Sequence, residues 1–248
     1  MFAAVIVLTR TGLAEAAEIK VLYAEALRSA MSELIPDFER ASGHKVAAAY
    51  AVAGAVASRI RGGEPADVAI LPKRAFDPLM TEGKIAPGSA KKVAHSVLAI
   101  AVPAGASKPD ITTVDALKRT LLDAKSITYS DPARGGGIGV EATRVIERLG
   151  LTEQLKSKTT VTPAGEFRDI LANRQAELAF VFPIVIFGNA RIDLVGPIPA
   201  ELQPTESLTF VAGIGAAAPE PSGAKAFIEY LSSPAAARIF KAKGMEPG

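Results

Sequence analysis

Short apolar runs alternate with amphipathic segments along the first third of the chain. Residues 18–23 alternate polar and apolar side chains and predict a strand, and residues 45–50 and 68–71 predict two more. Between these strands, apolar residues recur at helical spacing in 27–38 and 55–61, and again in 73–82. Three strand–helix units in succession predict a doubly wound, parallel sheet.

A second series of strands and helices follows a polar, flexible stretch at 104–110. The β-rich run 96–102 precedes that stretch, and residues 208–212 predict a strand that returns the chain to the first unit. Helices predicted at 224–231 and 234–243 close the chain. The sequence therefore predicts an α/β fold with two Rossmann-like lobes joined by a hinge, lobe one from 17–98 plus 213–248 and lobe two from 99–212.

A glycine-rich turn at 131–139 joins a predicted strand, 126–130, to a predicted helix. Asp131 and Pro132 end the strand, and four glycines leave several backbone N–H groups uncovered at the helix N-terminus. A small anion could bind there, with Arg134 adding a positive charge. The segment matches neither the dinucleotide fingerprint nor the P-loop, so an ordinary strand-to-helix turn is the alternative interpretation.

Composition removes several classes of function. The net charge is +2 with both signs interspersed and aromatic residues make up 6%, which argues against nucleic-acid binding. Without cysteine there is no thiolate metal site, thiol nucleophile or disulfide. The two histidines, His44 and His95, are predicted to be surface residues rather than ligands or general bases.

Catalytic groups are hard to assemble from this sequence. Ser130 with Asp131, or Glu25 with Glu141, are imaginable pairs, but no histidine lies near either in sequence and no nucleophile-elbow motif occurs. Glu141 is better explained as an acid in the first turn of a helix. We predict no enzymatic activity and no cofactor, with an enzyme kept as the least favoured alternative.

The N-terminal residues indicate export. Residues 1–8 are apolar, and Ala14-Glu15-Ala16 has the small-x-small form of a signal-peptidase site, which predicts a signal peptide at 1–16. Arg10 follows the apolar run instead of preceding it, as in a leader that began further upstream. An irregular extension or a first strand is the alternative. Later apolar segments are too short to span a bilayer.

Four segments carry a resemblance to a known family. They are AEALRSAMSELIPDFERASGHKV at 24–46, GEPADVAIL at 63–71, the Asp-Pro turn at 131–137 and LSSPAAARIFKAKG at 231–244. Together they make residues 18–247 resemble the solute-binding proteins of ABC importers, in particular the molybdate-binding branch. The resemblance implies the type II periplasmic binding protein fold, with a ligand held in the cleft between two lobes.

The same resemblance implies a mode of action. A periplasmic monomer would close its lobes around a solute by hinge motion near 98–103 and 207–213, then bind a permease in the inner membrane. Proteins of the molybdate branch use hydroxyls from the first two strand–helix loops and a tyrosine in lobe two. This chain has Ala26, Ala53 and Phe182 at those positions. Each lost charge-assisted hydrogen bond costs about 1.5–3 kcal/mol, which disfavours molybdate or tungstate.

The remaining cleft residues predict a small organic acid as ligand. Its carboxylate would lie near Arg134 and the helix N-terminus, and its apolar part against Phe182. A degenerate binding protein that acts through protein partners is the alternative of another class. The predicted ligand-binding residues are Glu25, Ala26, Ala53, Gly54, Pro72, Lys73, Arg134, Gly136, Gly137, Ile138, Phe182 and Pro183.

Overall fold

The computed structural model describes residues 17–134, 137–163, 165–203 and 208–248, with the backbone alone at Arg134. The predicted signal peptide and Gly136 lie outside these ranges. The strands are β1 Glu18–Ala24, β2 Lys45–Ala51, β3 Val68–Pro72, β4 Lys91–Ser96, β5 Ala99–Pro103, β6 Ile127–Ser130, β7 Thr159–Thr162, β8 Leu178–Val181, β9 Ile192–Pro197, β10 Leu208–Ile214 and β11 Glu246–Pro247.

Helices cover the sheets that these strands form. They are α1 Arg28–Ser42, α2 Ala53–Arg61, α3 Lys73–Thr81, α4 Val114–Asp123, α5 Gly137–Arg148, α6 Thr152–Lys156, α7 Glu166–Ala172, α8 Pro183–Ile186, α9 Pro221–Leu231 and α10 Pro234–Ala242. Short 3-10 turns at Glu25–Leu27, Pro132–Arg134 and Ala200–Leu202 complete the described elements. No helix within the described ranges is long and apolar enough to cross a bilayer.

The two predicted lobes correspond to two separate sheets. The first has the strand order β11-β4-β10-β3-β1-β2, and the second has the order β7-β6-β8-β5-β9. In the first sheet β1, β2 and β3 are parallel, whereas β10 is antiparallel to β3 and β4. Both are mixed sheets flanked by helices, so the predicted two-lobed α/β architecture is confirmed.

The burial pattern explains why these segments fold as they do. All five residues of β3 are buried, as expected for a central strand covered on both faces. The buried residues of α1 are Ala30, Met31, Leu34 and Phe38, which form one stripe at helical spacing. That helix ends at Gly43, whose φ of 79° is the left-handed conformation common after a helix C-terminus.

Asp67 joins three separate parts of lobe one. Its side chain is buried, and Oδ2 accepts the N–H of Lys20 at 2.7 Å while Oδ1 accepts the N–H of Glu220 at 2.7 Å. Its backbone N–H donates to Lys20 O, and its carbonyl accepts from Gly215 N. The Pro-Ala-Asp segment of the sequence is thus the point where β1, β3 and the chain leading to α9 are held together.

Two crossings of the chain connect the lobes. The first runs through residues 97–98 between β4 and β5, and the second lies between Gln203 and Leu208. The Gln203 side chain accepts the N–H of Leu98 at 2.9 Å and donates to the carbonyls of Leu98 and Ile198 at 2.8 and 3.0 Å. One amide therefore ties Leu98, in the first crossing, to Gln203, the last described residue before the second.

Three details of the fold differ from the sequence prediction. The run at 96–102 contains the end of β4 and most of β5, and these strands belong to different sheets. The strand at 208–212 is part of β10 and pairs in the first sheet, so it lies in lobe one rather than lobe two. Strand β11 pairs with β4 at the edge of the first sheet, and no local pattern predicted this strand.

Candidate functional site

Loops follow the carboxyl ends of parallel strands in both sheets, and the candidate ligand cleft is the region that these loops border. In open α/β sheets ligands bind in this position, outside the strand ends. Lobe one contributes the turn Glu25–Leu27 after β1, Val52 after β2 and the start of α3 after β3. Lobe two contributes the turn after β6 and Phe182 after β8.

The loops of lobe one present small and apolar groups. Ala26 and Ala53 are partly buried and carry no hydroxyl, whereas Gly54 is exposed in the first turn of α2. Pro72 is buried at the end of β3, and Glu25 is exposed in the 3-10 turn. The predicted residues of this lobe therefore occupy the ends of β1, β2 and β3, with one carboxylate among them.

The first residues of α5 are packed closely against β6 in lobe two. Ser130 Oγ, which is buried, accepts the N–H of Gly139 at 3.2 Å. A Cβ on Gly139 would lie 1.8 Å from the carbonyl oxygen of Ser130, so only glycine fits there. Burial raises the pKa of Tyr129 in β6, and its hydrogen bond with Thr143 of α5 acts in the opposite direction. Both contacts hold the N-terminal half of α5 against β6.

One cation of lobe one crosses the cleft to this helix. The Nη2 atom of Arg74 lies 3.4 Å from the point where a Cβ on Gly137, the first residue of α5, would sit. The adjacent residue Lys73, which was predicted to bind the ligand, makes an ion pair with Asp77 on its own helix, with Nζ 2.5 Å from Oδ2. The sequence analysis selected Lys73, whereas the structure places Arg74 at the helix N-terminus of the opposite lobe.

Two of the remaining predicted residues of lobe two are buried. Ile138 in α5 and Phe182 after β8 are 6% and 2% exposed, so their side chains pack mainly within lobe two. Pro183 begins α8 and touches lobe one, because a Cβ on Gly244 would lie 2.9 Å from Pro183 Cβ. The side chain of Arg134 and the whole of Gly136 are outside the described part of the chain.

Lys243 forms a further contact between the lobes. It pairs with Glu33 of α1, and its Nζ lies 4.8 Å from the centroid of the Phe187 ring, just after α8. The lobes thus meet on the side of α8 as well as between Arg74 and α5.

An aromatic and cationic cluster lies at the carboxyl ends of β1 and β2 in lobe one. Tyr23 and Tyr50 are registered partners on β1 and β2, with ring centroids 5.5 Å apart. The Cζ atom of Arg28 lies 5.1 Å from the centroid of the Tyr50 ring. Burial raises the pKa of Tyr23, the adjacent Tyr50 raises it further, and Arg28 lowers it. The sequence analysis did not identify this cluster.

Glu141 and His44, two groups considered for general acid–base chemistry, have other partners. The carboxylate of Glu141 pairs with Arg144, one turn along α5. His44 accepts the N–H of Ala17 through Nδ1 at 3.1 Å and stacks on Phe38. His44 is buried just before the start of β2, so the prediction of a surface position was wrong for this histidine. The described residues contain no cluster suited to a metal ion.

Known proteins resemble this chain over nearly its full length. An aconitate isomerase from Pseudomonas sp is 32% identical over 236 residues, 92% of this chain and 87% of that protein. The molybdate-binding protein ModA of Escherichia coli K12 is 26% identical over 239 residues, 94% and 90% of the two chains. The structure of the Azotobacter vinelandii periplasmic molybdate-binding protein superposes with a TM-score of 0.70 at 24% identity, covering 92% of this chain and 98% of that one.

The family assignment follows from a match over almost the entire described chain. Residues 19–246 match the family model described as bacterial extracellular solute-binding protein. The predicted resemblance to molybdate-binding proteins and the predicted solute-binding function are both confirmed by these similarities. The chain belongs to the bacterial extracellular solute-binding protein family and has the type II periplasmic binding fold.

Proposed function

We propose that the protein captures a small organic acid in its cleft, in the periplasm, and delivers it to an ABC permease in the inner membrane. The observation that carries the proposal is the approach of Arg74 to the N-terminus of α5 across the cleft. A carboxylate between them would accept hydrogen bonds from a guanidinium of lobe one and from backbone N–H groups of lobe two. Such a ligand joins the lobes and favours closure.

The chemistry of the loops supports an organic anion over a tetrahedral metal oxyanion. Ala26, Ala53 and Phe182 cannot donate a side-chain hydrogen bond, whereas an organic acid can place methylene groups against the apolar surfaces of the same loops. The 32% identical relative is named for an organic acid, aconitate, which agrees with this choice. Molybdate and tungstate are therefore the less favoured ligands.

A ligand screen tests the proposal directly. A ligand at one hundred times its dissociation constant stabilises the folded state by about 2.7 kcal/mol. In a chain of this length that free energy corresponds to a rise in melting temperature of about 5–10 °C. We expect this rise with di- and tricarboxylates such as tricarballylate and trans-aconitate, and little change with molybdate or sulfate. Stabilisation by molybdate alone would contradict the proposal.

Arg74→Gln should weaken the affinity for the carboxylate about 10- to 100-fold, because a charge-assisted hydrogen bond contributes about 1.5–3 kcal/mol. Isothermal titration calorimetry of the purified variant measures the change. Arg61→Gln is the matched control, since Arg61 is an exposed arginine of the same lobe that pairs with Glu82. An Arg74→Gln protein that binds as tightly as the wild type would show that the anion lies elsewhere.

Isomerisation of an unsaturated carboxylic acid is the second candidate function, and the name of the 32% identical relative is what favours it. Such a reaction removes a proton from carbon and returns one at another position, which requires a base in the cleft. Glu25 is the exposed carboxylate among the predicted cleft residues. Proton NMR of trans-aconitate incubated with the protein distinguishes the two functions, because capture leaves the spectrum unchanged and isomerisation produces the cis form.

A further inference from the structure

Arg28 lies next to both loops in which the molybdate branch has hydroxyls and this chain has alanines. Because α1 begins at Arg28, this residue directly follows the turn that contains Ala26. Its guanidinium is also held over Tyr50, which precedes the loop leading to Ala53. A cation from one loop is thus positioned by an aromatic ring from the other.

The guanidinium of Arg28 has N–H donors that no described residue uses. Other arginines of lobe one pair with carboxylates, namely Arg40 with Asp37, Arg59 with Glu64 and Arg61 with Glu82. Arg28 makes no ion pair or hydrogen bond with a residue in the described ranges, and Tyr50 contacts it through the face of the ring. Stacking restricts the planar group but leaves its N–H donors available for a carboxylate.

The two tyrosines add hydroxyl groups to the same place. Tyr23 is 5% exposed and Tyr50 is 40% exposed, so one ring supports the cluster from within and the other reaches solvent. Burial raises the pKa of Tyr23 above its ordinary value of 10.0, so its phenol keeps its proton at physiological pH. A carboxylate at Arg28 therefore meets a positive charge and nearby hydroxyl groups, without any contribution from Ala26 or Ala53.

We infer that Arg28, Tyr50 and Tyr23 form a second carboxylate subsite, so that the solute is a di- or tricarboxylate rather than a monocarboxylate. This inference rests on the proposed function, in which a first carboxylate binds between Arg74 and α5. A monocarboxylate bound between Arg74 and α5 would leave Arg28 without an anionic partner at the closing cleft, where removal of water makes an unpaired charge costly. An acid with two separated carboxylates neutralises both.

Calorimetric titration with butyrate, glutarate and tricarballylate, which carry one, two and three carboxylates, tests the subsite. Arg28→Gln should weaken binding of glutarate and tricarballylate about 10- to 100-fold and of butyrate less than about threefold. Tyr50→Leu, which removes the stacked ring and keeps the charge, should weaken the first two about three- to tenfold. Arg40→Gln, an exposed arginine at the other end of α1, should leave all three unchanged.

The outcomes separate this inference from the proposed function. If the wild-type protein binds none of the acids, both are wrong. If it binds tricarballylate and Arg28→Gln binds equally well, the subsite is wrong and the proposed function stands. If butyrate binds as tightly as tricarballylate, the preference for several carboxylates is wrong. Arg28 is exposed, so the variant should melt close to the wild-type temperature, which thermal unfolding verifies.

Discussion

Replacing Gly139 by alanine should lower the free energy of unfolding by about 3 kcal/mol and the melting temperature by roughly 6–12 °C. The new methyl group would overlap the carbonyl oxygen of Ser130, 1.8 Å away, and backbone rather than a flexible side chain would have to move. The start of α5 would then move away from β6 and lose the hydrogen bond from Gly139 N to Ser130 Oγ. Differential scanning calorimetry measures the shift.

Gly54→Ala is the matched control for that experiment. Gly54 also lies in the first turn of a helix that begins at the cleft, but a Cβ there meets no atom within 4 Å. Alanine is the better helix former, so this variant should be as stable as the wild type or more stable by up to about 1 kcal/mol. If Gly139→Ala were as stable as Gly54→Ala, the close packing of α5 on β6 would be contradicted.

Asp67→Ala should destabilise lobe one by about 4 kcal/mol. The substitution leaves the N–H groups of Lys20 and Glu220 without their acceptor, and an unsatisfied buried donor costs about 1–3 kcal/mol, more where the lost partner was charged. Chemical denaturation followed by circular dichroism measures the loss.

Asp110→Ala provides the comparison for Asp67. Asp110 also accepts two hydrogen bonds, but both come from the nearby Thr112 and are exposed. Water can replace a carboxylate at such a position, so the loss should stay below about 1 kcal/mol. Equal effects of the two substitutions would show that Asp67 does not connect the three segments of lobe one.

Local patterns were sufficient to predict the elements that form a continuous core. The apolar run of β3 and the helical stripe of α1 are encoded by neighbouring residues, and both were predicted from spacing alone. Strand β4 was missed as a separate element because its sequence, KKVAHS, is largely polar. Its pairing with β10, which is distant in sequence, is what makes it a strand. The lobe to which β10 belongs likewise depends on partners far away in sequence.

Local patterns predicted the loops of the candidate site, whereas the positions of its charged groups depend on the fold. Strand ends and glycines indicated which segments should border the cleft, because loops after parallel strands share one edge of a sheet. Lys73 and Arg74 are adjacent, and only the direction of α3 decides that the first pairs with Asp77 while the second reaches Gly137. The position of Arg28 depends on Tyr50, which lies on another strand and gives no local signal.

Gln203 has a consequence for how the two halves of the molecule can move. Its amide binds the backbone of Leu98, just before β5, by two hydrogen bonds, and Leu208 pairs with Ser96 in the first sheet. Separating Leu98 from Gln203 would break both of those hydrogen bonds. When the halves change their relative orientation, Leu98 and Gln203 should therefore travel together as one rigid piece.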